Sequence, residues 1–129
     1  MAELEFFEKV AARAGVPPET AQSLTEATLR TLAERISGGQ AADLADHVAH
    51  QLRPFLARAR PEEPQVFAYD EFLRRVAARA GVADDVAERG ARAVLQTLHR
   101  VVAHREFWDA MSELPAQIRA LAEPVPRGA

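Results

Sequence analysis

Asp43, Asp46, His47 and His50 are, by type and spacing, the residues of this chain best suited to holding a metal. On one continuous helix Asp43, His47 and His50 fall at i, i+4 and i+7, so they share a face, with Asp46 beside His50. Two imidazoles and a carboxylate are ligands that suit zinc or a related ion. The same spacing also describes a solvated polar face opposite Leu44, Ala45 and Val48. The solvated face is the expectation, and Asp43, His47 and His50 are the candidate ligands.

Arginine offers a second chemistry. Between Asp70 and Arg105 there are seven arginines and five acidic residues, and Arg75, Arg79, Arg89 and Arg92 make the candidate basic patch. Glu71, Asp85 and Glu88 stand three or four residues from several of them, the spacing of ion pairs along a helix. No aromatic interleaves these arginines to stack on bases. With a net charge of −3 for the whole chain, nucleic-acid binding is disfavoured. A third candidate is Phe107-Trp108. Phe107 falls on an inward-facing stripe and Trp108 one step off it, where a ring can anchor a protein partner or a second copy of the chain.

Nothing else points to catalysis. Cysteine is absent, which excludes disulfides and thiolate chemistry. Ser23, Ser37 and Ser112 lack a nucleophile-elbow context. The carboxylate pairs Glu62-Glu63 and Asp84-Asp85 fall in a linker and at a helix start, where solvation and the helix dipole account for them. No glycine-rich phosphate loop is present. The expectation is a protein that is not an enzyme and carries no cofactor.

The elements that must position these residues come in two copies. "VAARAGV" occurs at Val10–Val16 and again at Val76–Val82, and an offset of 66 residues aligns Glu5–Leu56 with Glu71–Ala122 at 17 identities. Each copy reads as a helix with an apolar stripe, ended by a glycine (Gly15, Gly81) in the left-handed conformation and by a valine folding back on it. A longer helix follows, opened by Pro18 in one copy and by Asp84 and Asp85 in the other. Two shorter helices complete each copy. At one aligned pair Leu24 faces Gly90, a glycine inside a predicted helix, and the two are expected to meet as knob and gap across a pseudo-twofold axis. Residues 1–60 and 70–122 are thus two helical repeats of about four helices each, with a Pro-containing linker at 61–69 and a tail at 123–129. The fold class is an all-α bundle in which each repeat buries its stripe against the other, since about 60 residues alone make a marginal core.

Alanine and the strong helix formers dominate, and 48% of the chain is hydrophobic. No apolar run reaches the roughly 18 residues of a membrane span. The acidic start lacks a signal-peptide pattern, and a cytoplasmic location with no membrane partner is expected.

The pattern Phe6, Val10, Gly15, Leu32, Ser37-Gly38-Gly39, Asp43-Leu44 and Leu52-Arg53 recurs as Phe72, Val76, Gly81, Leu98, Asp109, Leu114-Pro115 and Ile118-Arg119. It resembles the bacterial family catalogued as domain of unknown function 2267, over almost the whole chain. Two places depart from it: Ala103-His104-Arg105-Glu106 replaces the Gly-Gly turn, and Val48-Ala49 stands where Leu-Pro is usual. The resemblance implies an all-helical bacterial protein and brings no catalytic or cofactor residues. The reading of the whole is a small interaction or scaffold module, with an apolar-ligand or metal-binding helical domain as the alternative.

Overall fold

The computed structural model describes residues 2–57 and 64–123. Among them are eight α-helices and no strands: α1 (Ala2–Ala14), α2 (Pro18–Arg35), α3 (Gly38–Ala45), α4 (Arg53–Leu56), α5 (Tyr69–Ala80), α6 (Asp84–Val101), α7 (His104–Met111) and α8 (Ala116–Arg119). Short 3-10 turns at His50–Leu52 and Ala120–Ala122 adjoin α4 and α8. Residues 61–63 of the expected linker and 124–129 of the expected tail lie outside the described residues. Of the linker, Phe67 is buried and Tyr69 already opens α5.

The helix ends follow from local chemistry. Gly15 and Gly81 both take φ +69°, a conformation open to glycine at little cost. Val16 N–H then reaches back to Ala11 O (3.1 Å) and Val82 N–H to Ala77 O (3.1 Å), closing both helices in the Schellman manner. Pro18 starts α2 where a missing N–H costs nothing. Asp84 and Asp85 lie in the first turn of α6 and supply favourable charge there. Neither caps it, because the N-cap is Ala83 and makes no side-chain hydrogen bond. Ser37 caps α3, its hydroxyl accepting from Gln40 N–H. The Gly-Gly pair is therefore the first turn of a helix, and α7 begins at the aligned residue, His104, without the glycines.

α1 packs on α6 and α2 on α5, while α2 and α6 cross each other and α3 lies against α7. One continuous core results, with Phe72, Phe107, Leu24, Leu29, Leu32, Leu95, Leu98 and Met111 fully buried. The expected stripes are buried, or partly buried at Phe7, Ala11, Phe55 and Ala80, apart from Val101, which is 43% exposed at the last turn of α6. Leu24 and Gly90 do meet. A Cβ built on Gly90 would lie 2.6 Å from Leu24 Cδ1 and 2.8 Å from its Cγ, well inside van der Waals contact. The missing side chain of Gly90 is what lets α6 approach α2 this closely.

Candidate functional site

The structure separates the three candidate metal ligands. α3 ends at Ala45, Asp46–Val48 form a turn, and His50 opens a 3-10 turn. The i, i+4, i+7 geometry needs an unbroken helix, and this one stops before His47. Asp43, His47 and His50 are all exposed. Among the described residues no three His, Asp or Glu side chains are placed to hold an ion together.

The four arginines of the candidate basic patch divide between two settings. Arg89 lies near Asp85 (3.5 Å) and donates to Ala14 O, and Arg92 lies 3.9 Å from Glu88, both pairs along α6. Arg75 and Arg79, on α5, converge on Glu34 of α2. Arg79 grips the carboxylate with both Nη groups (2.8 and 2.7 Å), and Arg75 adds one bond to Glu34 (3.1 Å) and one to Glu71 (2.8 Å). Glu71 also pairs with Arg74. Burial raises the Glu34 pKa, but bonds and charge from Arg79 and Arg75 outweigh it and hold the carboxyl below its ordinary range. This clasp ties the chain as it re-enters at residues 64–68. Gln65 N–H donates to Glu34 O (2.8 Å), Arg35 Nε to Phe67 O (2.9 Å), and the Arg75 guanidinium stacks 4.0 Å over the Phe67 ring.

The other seam, between α1 and α6, carries the same anchor without the acid. Arg13 Nη1 donates to Thr97 Oγ1 (2.6 Å), as Arg79 Nη1 does to Thr31 Oγ1 (2.9 Å). Each threonine donates in turn to the carbonyl four residues back, Ala93 or Ala27. The residue aligned with Glu34 is Arg100, and the one aligned with Arg75 is Lys9. Lys9, Ala12, Arg13 and Arg100 border a cleft of about 470 Å³. Burial and the Arg100 charge both lower the Arg13 pKa.

Beyond Arg100 the seam runs into a cluster of rings. His99 stacks on Phe107 (centroids 4.5 Å apart, 14° between planes), and Trp108 meets both edge-on at 5.4 and 5.3 Å. His99 Nε2 and His104 Nδ1 lie 3.2 Å apart. Phe107 is fully buried and Trp108 half-buried against the core.

The profile of the family described as "Uncharacterized conserved protein (DUF2267)" matches residues 4–121. The chain belongs to the DUF2267 family. No curated protein matches it. The matched span of this DUF2267 chain runs from α1 through the final 3-10 turn and so includes both seams. No described helix is long and apolar enough to cross a membrane.

The ring cluster makes one prediction. Burial, then the charges of His104 and Arg100, lower the His99 pKa. The unfolded chain therefore binds more protons than the folded one once pH falls below the unperturbed histidine value, near 6.5. Stability contributed by neutral His99 is present above that value and is lost as pH falls through the lowered one. Urea unfolding midpoints should drop between about pH 7 and pH 5, and the drop should shrink in His104→Ala, which removes the nearest like charge. An equal drop in both proteins overturns the assignment.

Sequence reading singled out Trp108 and the arginines Arg75, Arg79, Arg89 and Arg92 but missed the roles of Lys9, Arg13, Arg100 and Glu34. The signal was present in the alignment at an offset of 66 residues, where Glu34 is matched with Arg100, a reversal of charge at one aligned position.

Proposed function

We propose that this DUF2267 protein is a non-enzymatic interaction module made by duplicating one helical unit, with the two copies related by a pseudo-twofold axis and the second adapted to bind a protein. The supporting observation is the ring cluster. His99, His104, Phe107 and Trp108 come together at the end of α6 and on α7, and the residues aligned with them are Ala33, Gly38, Ala41 and Ala42. Four rings have replaced, or been replaced by, four of the smallest side chains. That is a large difference between copies that otherwise keep their helix ends and anchors. Trp108, half-buried at the margin of the core, is the anchor, with exposed Val101 on the preceding helix end.

A ligand-binding reading of the apolar kind has less support. Among the described residues, two surface clefts are bordered by charged side chains, Glu26, Arg30 and Arg79 in one and Lys9, Arg13 and Arg100 in the other. The test compares wild type with Trp108→Ala, matched by circular dichroism. Sedimentation is measured over a range of concentrations, and co-purification from a bacterial lysate is followed by identification of the retained protein. A complex, with itself or with one reproducible partner, that is lost in Trp108→Ala supports the module. A complex indifferent to the substitution, or none in either arm, overturns it.

A further inference from the structure

The two seams put one anchored arginine into two electrostatic settings. In the α2–α5 seam Thr31 fixes Arg79, and the remaining guanidinium edge is filled by the Glu34 carboxylate, with Arg75 beside it. In the α1–α6 seam Thr97 fixes Arg13 in the same way, but the acid is replaced by Arg100 and Arg75 by Lys9. Lys9, Arg13 and Arg100 line one cleft, and among the described residues no acidic side chain pairs with any of the three. Glu5, the acid four residues before Lys9 and the counterpart of Glu71, makes no such pair. A second hollow shares Arg13 and Arg100 and adds Gln96 and His99. Positive charge near the last turns of α1 and α6 suits their dipoles, but that accounts for each charge separately and not for three around one cleft.

We propose that the α1–α6 seam is an oxyanion site that takes a phosphoryl group, with Arg13 and Arg100 donating from their guanidinium edges and Lys9 adding a point charge. The closed seam shows the chemistry that this arginine geometry accepts, since there an oxyanion, the Glu34 carboxylate, already occupies the equivalent edge. The open seam differs by an additional cation, so a group with two negative charges and oxygens in several directions fits it better than a single carboxylate. This inference stands on the Glu34/Arg100 reversal and is independent of the role assigned to Trp108.

The test titrates isotopically labelled protein with sodium pyrophosphate at constant ionic strength, reading the guanidinium signals of Arg13 and Arg100. Saturable one-to-one binding is expected, with a rise in melting temperature. Arg100→Glu rebuilds the closed clasp. It should weaken binding by about tenfold to a hundredfold and raise the melting temperature of the ligand-free protein. Arg100→Gln serves as the milder variant if Arg100→Glu folds poorly, and should weaken binding in the same direction. Glu34→Arg, in the other seam, should leave affinity at this site unchanged. Pyrophosphate acting no differently from chloride, or full affinity in both Arg100 variants, overturns the proposal. So does binding of duplex DNA without pyrophosphate binding. Phosphoserine, free and within a peptide, identifies the source: tighter binding of the peptide assigns the group to a modified protein, and equal or weaker binding assigns it to a free small molecule.

Discussion

Leu24→Gly and Gly90→Leu should each destabilise the protein severely, and the double swap should restore most of the loss. Leu24 is fully buried. Removing its side chain deletes apolar contacts, leaves a cavity and puts glycine inside α2, which together cost about 4 kcal/mol or more. Gly90→Leu forces a side chain into space that Leu24 occupies. Even a bare Cβ would lie 2.6 Å from Leu24 Cδ1, so overpacking should cost about 3 kcal/mol. Aligned residues that touch each other must lie close to any twofold axis relating the copies. Two leucines there would collide and two glycines would leave a void, whereas one of each fills the space. Exchanging them returns the same knob and gap from the opposite helix. Urea denaturation should place Leu24→Gly/Gly90→Leu within about 1 kcal/mol of wild type once local repacking is allowed for. Additive losses in the double variant would refute the proposed axis.

The second large effect concerns the halves as separate chains. α1 packs on α6 and α2 on α5, so each half's long helices find much of their apolar contact in the other half. Fragments 2–57 and 64–123 are too short to bury a sufficient core alone, and their helices lose the packing that stabilises helices of this length. Each fragment should show little helical circular dichroism by itself, and an equimolar mixture should recover most of the intact signal as a one-to-one complex. Pairing of like with like is disfavoured for stated reasons. Two first halves would set Leu24 against Leu24. Two second halves would set Arg100 beside Arg75 and Arg79 and leave a gap at Gly90. Full helicity in either fragment alone overturns this account of the core.

Fold class was legible because it rests on local rules. The apolar stripes of α1, α2, α5 and α6, the left-handed glycines at 15 and 81, and Pro18 at a helix start act within a few residues of chain. Sequence comparison at 66 residues even singled out Leu24 and Gly90 as a contact, because a glycine costly inside a helix needs a compensating close approach. Where the reading failed, the reason was local as well. The helix expected to carry His47 and His50 ends at Ala45, so ligand spacing computed on an unbroken helix described a surface that does not form. Val101 has a core-type side chain, yet it is the last residue of α6, where the chain turns away.

The sequence by itself therefore determined the long helices α1, α2, α5 and α6, the glycine ends of α1 and α5, and their apolar faces, since periodicity and backbone sterics act over short range. Only the tertiary structure decided which helices meet, α1 with α6 and α2 with α5, and with that the fate of the charges. Glu34 and Arg79 are 45 residues apart, and Arg13 and Thr97 are 84 apart. Charge interaction depends on distance and shielding from solvent, quantities that packing sets. Packing made one seam a neutralised clasp around Glu34 and the other a cleft of three cations.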